Sequence, residues 1–217
     1  MQTKNTRQKT VVLVLLRHGE AESNKNRVFA GWADSDLTDN GITQAKLVGL
    51  NLVGLKLNLV FTSPLIRAIR TMHIALTYGN VRGYKIFIDK RLRGANSGDW
   101  TGKNVESLKN KIGEKKFNIL SNSLFYGPPN GETMGDVHKR VNEFYLNSIT
   151  PRLKDGYNVL IASHTDAISV LCTIIEHLNI KVIERLTLPN ATLIIYNMDM
   201  RTLKVLNKKR VNIMVKK

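Results

Sequence analysis

VVLVLLRHGEAESN, residues 11–24, runs six apolar residues directly into an arginine, a histidine and a glycine. The run is short and rich in Val and Leu, the composition of a parallel strand buried on both faces. In open α/β sheets, ligands bind beyond the carboxyl ends of the strands. Arg17 and His18 therefore stand where a site is expected.

Working outward, apolar runs at 57–61 (LNLVF), 84–89 (YKIFID) and 159–162 (VLIA) read as further strands. ATLIIYNMD at 191–199 reads as another, pairing with RTLKVLN as a hairpin. Helical patterns alternate with them. Thr38 is placed to cap a helix carrying Ile42, Ala45, Val48 and Leu52 on one stripe. Ser63 and Pro64 read as the N-cap and first-turn pair of a helix reaching about Leu76. Residues 132–149 and 167–179 carry two more helical patterns. The alternation predicts a three-layer α/β fold, a mostly parallel sheet with helices on both faces. A chain of 217 residues suits one domain with a full core. Residues 94–131, rich in Gly, Asn and Ser, are expected to form an irregular insertion or lid over the sheet. Residues 1–10 and 208–217 read as basic tails.

Composition narrows the partners. A formal net charge of +16 meets the first test for a nucleic-acid binder. The lysines and arginines are scattered, however, with runs only near the ends and no interleaved aromatic residues to stack bases. The charge points instead to a general attraction for anionic substrates. A single cysteine, Cys172, excludes an internal disulfide framework and fits a reducing compartment. Its apolar surroundings mark it as a core residue. The basic start followed by an apolar run imitates a signal peptide, but the run is too short and lacks a small-residue cleavage site. No stretch approaches the ~20 apolar residues of a membrane span. A cytoplasmic protein without membrane contact is expected.

Three strand ends deliver Arg17-His18, Thr62-Ser63 and Ser163-His164, with Arg67 one helical turn beyond the second. Two guanidiniums and two imidazoles converging on one crevice describe an anion pocket, and the arginine fork suits phosphate. His73, His138 and His177 lie within helical patterns and read as structural or solvated, and Arg70 as a surface residue. Trp32 and Trp100 occupy Gly-flanked turns near the pocket, where packing and substrate contact are both open. No tight His/Cys cluster has metal-ligand spacing, so no metal is assigned.

LLRHGEAESN, TSPLIRAIRT, GDWTGKN and VLIASHTDAI occur in that order. Together they resemble the successive motifs of the histidine phosphatase superfamily, in the branch of cofactor-dependent phosphoglycerate mutases and related phosphatases. The resemblance spans residues 11–199 and implies a phosphoglycerate mutase-like fold. It implies that His18 is the nucleophile that becomes phosphohistidine, with Arg17, Arg67 and His164 holding the phosphoryl group. Asn24 and Gly31 match the family's substrate-side positions. Such chemistry is mostly positioning plus positive donors. His18 must attack as a neutral imidazole, its other nitrogen donating to a fixed acceptor.

Two departures bear on function. The family pattern puts a glutamate, the proton donor to the leaving oxygen, where this chain has Gly94. Asp166 is the first candidate to replace it, followed by Asp99 and Glu106. Mutases of the family carry a longer insertion after the position of Trp100, with paired arginines. Here that segment carries Lys109, Lys111, Lys115 and Lys116 and no arginine. The expectation is a cofactor-free phosphomonoester hydrolase acting on a small phosphorylated substrate or a phosphoprotein. The alternatives are a mutase, with 2,3-bisphosphoglycerate as its cofactor, and a weakly catalytic phosphoprotein-binding member. Relatives commonly dimerise, so the resemblance also admits a homodimer.

Overall fold

The computed structural model describes residues 9–181, 188–213 and 215. In chain order, β1 (Thr10–Arg17) leads through a one-turn α1 (Glu22–Lys25) to α2 (Asp39–Leu50). β2 (Leu59–Thr62), α3 (Ile66–Tyr78) and β3 (Lys85–Ile88) follow. An excursion then carries α4 (Val105–Ile112) and α5 (Glu114–Asn122). The chain returns through α6 (Met134–Phe144), a π-helical turn at Tyr145–Ile149 and α7 (Thr150–Lys154). It ends with β4 (Val159–Ser163), α8 (Thr165–Ile175), β5 (Leu193–Asp199) and β6 (Val205–Val211).

The strands form one sheet in the order β3-β2-β4-β1-β5-β6. The first four are parallel, while β5 runs against β1 and β6 against β5. Successive side chains of a strand point to opposite faces, and β1 divides accordingly. Val11, Leu13 and Leu15 join the core under α6, α7 and α8, with Val137, Phe144, Leu153 and Leu171. Val14 and Leu16 join the core under α2 and α3, with Val48, Leu52, Met72 and Leu76. The expected three layers are present. No helix among the described residues is long and apolar enough to cross a membrane.

Strand register sets the site. Arg17 pairs with Ser163, and Thr62 with Ala162, so β1, β4 and β2 end level with one another. The backbone N–H of His18 donates to Ser163 O at 3.0 Å, and that of Ser63 to Ala162 O at 3.1 Å. Three adjacent strands therefore present His18, His164 and Ser63 side by side.

Several boundaries differ from expectation. Ser63 and Pro64 do not begin α3, whose N-cap is Leu65. Ser63 is buried and its Oγ turns towards His164 instead. The segment 94–131 is more ordered than its composition implies. Asn104 caps α4 by accepting from the Ser107 amide, and Gly113 at φ +83° supplies the break between α4 and α5. The lid packs inward through Phe117, whose ring stacks parallel to Trp100 at 5.5 Å. The helix in 132–149 starts at Met134 behind a Thr133–Asp136 capping box. Residues 208–211 are not tail but the end of β6. The other expected tail lies mostly outside the described residues. The β5–β6 hairpin and the Thr38 cap on α2 are as expected.

Candidate active site

The turn after β1 is built around close backbone contact. A Cβ on Gly19 would lie 2.5 Å from Gly41 O, and one on Gly41 2.0 Å from Glu20 O. Both positions require glycine for α2 to seat against the turn. Thr71 completes the clamp: its Oγ1 accepts from the Gly19 amide at 2.9 Å and donates to Arg67 O at 2.7 Å. Gln44 Oε1 accepts from the Glu20 amide at 2.8 Å.

This frame fixes the His18 ring. His18 is buried, and its Nδ1 lies 2.7 Å from Gly19 O. A carbonyl only accepts, so Nδ1 carries the proton and Nε2 keeps its lone pair. Burial holds the His18 pKa well below 6.5, with Arg17 and Arg67 adding to the effect. The ring is neutral, with its free lone pair on Nε2.

His164 faces it, the ring centroids 5.0 Å apart. Arg67 Nε donates to His164 Nδ1 at 3.3 Å, so the His164 proton sits on Nε2, 2.9 Å from Ser63 Oγ. Burial, then His18 and Arg67, keep His164 neutral. Arg67 is also held by Ala33 O at 2.9 Å and Gly31 O at 3.0 Å. Gly31 therefore serves through its carbonyl, at φ +50°. Arg17 donates to Leu188 O through Nη1, and its buried Nε has no hydrogen-bond partner among the described residues. Burial lowers the Arg17 pKa to about 10, with Asp166 opposing. An anion entering here meets two guanidiniums and an N–H without a protein acceptor among the described residues.

Arg17, His18, Asn24, Gly31, Arg67, His164 and Asp166 line one cavity of about 270 Å³. The seven expected residues are thus brought together. Asn24 Oδ1 accepts from the Ala21 amide at 3.1 Å and from Asn190 Nδ2 at 3.0 Å, which leaves its own NH₂ to face outward. Of the three acid candidates, only Asp166 lines this cavity. Asp99 is exposed and accepts from Asn130 at 3.1 Å, and Glu106 lies on a neighbouring cavity. Asp166 Oδ2 accepts from the Ala95 amide at 2.8 Å, and a Cβ on Gly94 would lie 3.2 Å from that oxygen. The carboxylate occupies space that a side chain at 94 would need.

The indole of Trp32 donates to Gly94 O at 3.0 Å while Arg93 lies over its ring, and Trp100 is buried. Arg70 pairs with Asp36 away from the cavity. His73, His138 and His177 line neither cavity. Cys172 is buried, and desolvation pushes its thiol up, consistent with a core role. Sequence reasoning missed Ser63, Thr71, Arg140, Glu132 and Asn190. Arg140 donates to Arg91 O, Arg93 O and Gly94 O while pairing with Glu132, and so holds the Gly94 loop. Only the polar character of position 63 hinted at any of these.

Residues 13–209 match the family model described as histidine phosphatase superfamily (branch 1). The 2,3-bisphosphoglycerate-dependent phosphoglycerate mutase of Rhizobium meliloti (strain 1021) is 35% identical over 189 residues, 86% of this chain and 90% of that protein. The phosphoglycerate mutase of Schizosaccharomyces pombe is 35% identical over 190 residues, 87% of this chain and 90% of that protein. Among solved structures, Bacillus stearothermophilus YhfR superposes with a TM-score of 0.77 at 28% identity, covering 90% of this chain and 94% of that one. A mycobacterial glucosyl-3-phosphoglycerate phosphatase superposes at 0.73, with 23% identity over 90% of this chain and 96% of that one, a likeness of fold.

Proposed function

This chain belongs to the histidine phosphatase superfamily, and from that premise we propose that it hydrolyses small phosphomonoesters through a phosphohistidine on His18. The observation that carries the reading is the Nδ1–Gly19 O hydrogen bond, which leaves the His18 Nε2 lone pair free in a cavity that Arg17 and Arg67 also line. Nε2 attacks phosphorus, the bond to the alcohol oxygen breaks, and Arg17, Arg67 and His164 hold the phosphoryl oxygens. Asp166 gives a proton to the departing oxygen, then takes one from the water that attacks phosphohistidine. Inorganic phosphate leaves and the imidazole is restored. No step uses a metal or an organic cofactor.

Hydrolysis is favoured over transfer by the lid. A mutase must keep water from its phosphohistidine. Residues 101–131 bring no arginine, and none of their lysines lines the His18 cavity. The mutase reading is supported by the 35% identity to the Rhizobium meliloti enzyme. Both are tested with purified protein in chelator. Release of phosphate from phosphomonoesters, with acid-labile label on His18 that is lost in His18→Ala, supports the hydrolase. Full activity in His18→Ala, or a requirement for added divalent metal, refutes the nucleophile assignment. Rapid formation of 2-phosphoglycerate from 3-phosphoglycerate with 2,3-bisphosphoglycerate, coupled through enolase, selects the mutase.

A further inference from the structure

A second cavity, of about 530 Å³, adjoins the His18 cavity and shares Ser23, Asn24, Val28 and Val105 with it. These four residues form a neck between the two. Beyond it, Val28, Val105 and Phe117 supply an apolar wall, and Phe117 is held in place by its stack on Trp100. The charged residues on this cavity are Arg27, Lys109 and Glu106. Lys109 is engaged by Glu114 at 2.7 Å. Arg27 is exposed, and its guanidinium has no hydrogen-bond or ion-pair partner among the described residues.

The backbone at Arg27 makes this placement informative. The Arg27 amide donates to Asn24 O at 3.2 Å and the Val28 amide to Ser23 O at 2.8 Å. That pair of bonds closes α1 in a Schellman motif, with Arg27 at the left-handed position after the cap, φ +53°. Glycine is the usual residue there, because a Cβ is penalised. An arginine at that position sacrifices stability and holds a cation at the mouth of the outer cavity. Strained backbone kept beside a reaction centre points to function.

Resting on the phosphatase reading, we propose that the outer cavity is the leaving-group subsite, and that it selects phosphomonoesters whose alcohol carries an apolar spacer ending in a second anionic group bound by Arg27. The phosphoryl group enters the His18 cavity, the spacer passes the neck along Val28, Val105 and Phe117, and the far anion meets the guanidinium.

The test measures binding, so it does not depend on turnover. Non-hydrolysable ω-carboxyalkyl phosphonates of increasing chain length are titrated against their methyl esters by calorimetry. Wild type should prefer the acid at one chain length by about tenfold to a hundredfold, the value of a charge-assisted hydrogen bond. Arg27→Gly should abolish the preference without lowering the melting temperature, because glycine relieves the backbone, and Arg27→Lys should retain part of it. Equal affinity for acid and ester at every length, or a preference that survives Arg27→Gly, overturns the subsite. If the phosphonates bind with the expected preference while no phosphomonoester is turned over, the phosphatase reading fails and the subsite stands.

Discussion

Arg140 and Glu132 form a two-point ion pair, Nε to Oε1 and Nη2 to Oε2 both at 2.8 Å, beneath the loop that carries Gly94. The same guanidinium donates to three consecutive-turn carbonyls of residues 91, 93 and 94, and Glu132 Oε2 accepts from the Asn96 amide at 2.9 Å. This clamp fixes the Ala95 amide that holds Asp166. Only a planar fork can satisfy so many acceptors at once.

Arg140→Ala strands Glu132 and three carbonyls in a setting where both side chains are only 16% exposed. Loss of one partner of such a pair costs about 3 kcal/mol. For a chain of this size that is a fall of about 6–12 °C in melting temperature. Arg140→Lys should recover little of it. Scanning calorimetry of the two variants decides the point, and an unchanged melting temperature in Arg140→Ala would show that the clamp contributes nothing.

Asp166→Asn should separate two kinds of substrate. Aryl phosphates, whose phenolate departs unaided, should keep most of their kcat, while alkyl phosphates should lose about 10²–10⁴-fold. Gly94→Glu alone would press a second carboxylate against Asp166 Oδ2, within reach of a Cβ at 3.2 Å. It should therefore help alkyl turnover less than the double variant Gly94→Glu/Asp166→Asn does. Equal losses on both substrate types would remove Asp166 from the proton-transfer step.

The two buried histidines tie stability to acid. Both have folded pKa values well below 6.5, chiefly through burial. Below the unfolded value of about 6.5 the unfolded chain binds more protons than the folded one. Their contribution to stability is thus complete above that pH and lost as pH falls towards the folded values, at up to about 1.4 kcal/mol per pH unit for each. Urea titrations of His164→Gln should show a shallower acid limb than wild type. By the same logic, kcat/KM should stay level through pH 6.5 as far as His18 protonation governs it.

Thr71→Val conserves shape but leaves the buried Gly19 amide without its acceptor. The cost is about 1–3 kcal/mol. Because Gly19 O sets the His18 tautomer, kcat should fall while KM changes little. Thr71→Ser, which restores the hydroxyl, should recover most of the rate. Failure of serine to rescue would mean that the methyl group, not the hydrogen bond, matters.

The sequence alone determined the layered α/β fold, because buried parallel strands need uninterrupted Val, Ile and Leu, and β1, β2 and β4 carry that signal locally. It also placed Arg17, His18, Arg67 and His164 in one pocket, since strand ends are legible as the points where apolar runs meet polar residues. The tertiary structure decided what depends on contacts between distant segments. Ser63 reads as a helix cap in isolation, yet its oxygen meets a histidine 101 residues away. Nothing local marks Glu132 and Arg140 as partners, and the fold gives them their role by bringing residues 91–96 against them. The lid reads as irregular because its two short helices are secured by contacts with residues distant in sequence, among them Phe117 on Trp100 and on Phe29. Asp166 could be named from the sequence as the first acid candidate, but its approach to position 94 was decided only by the packing of a loop on the first turn of α8.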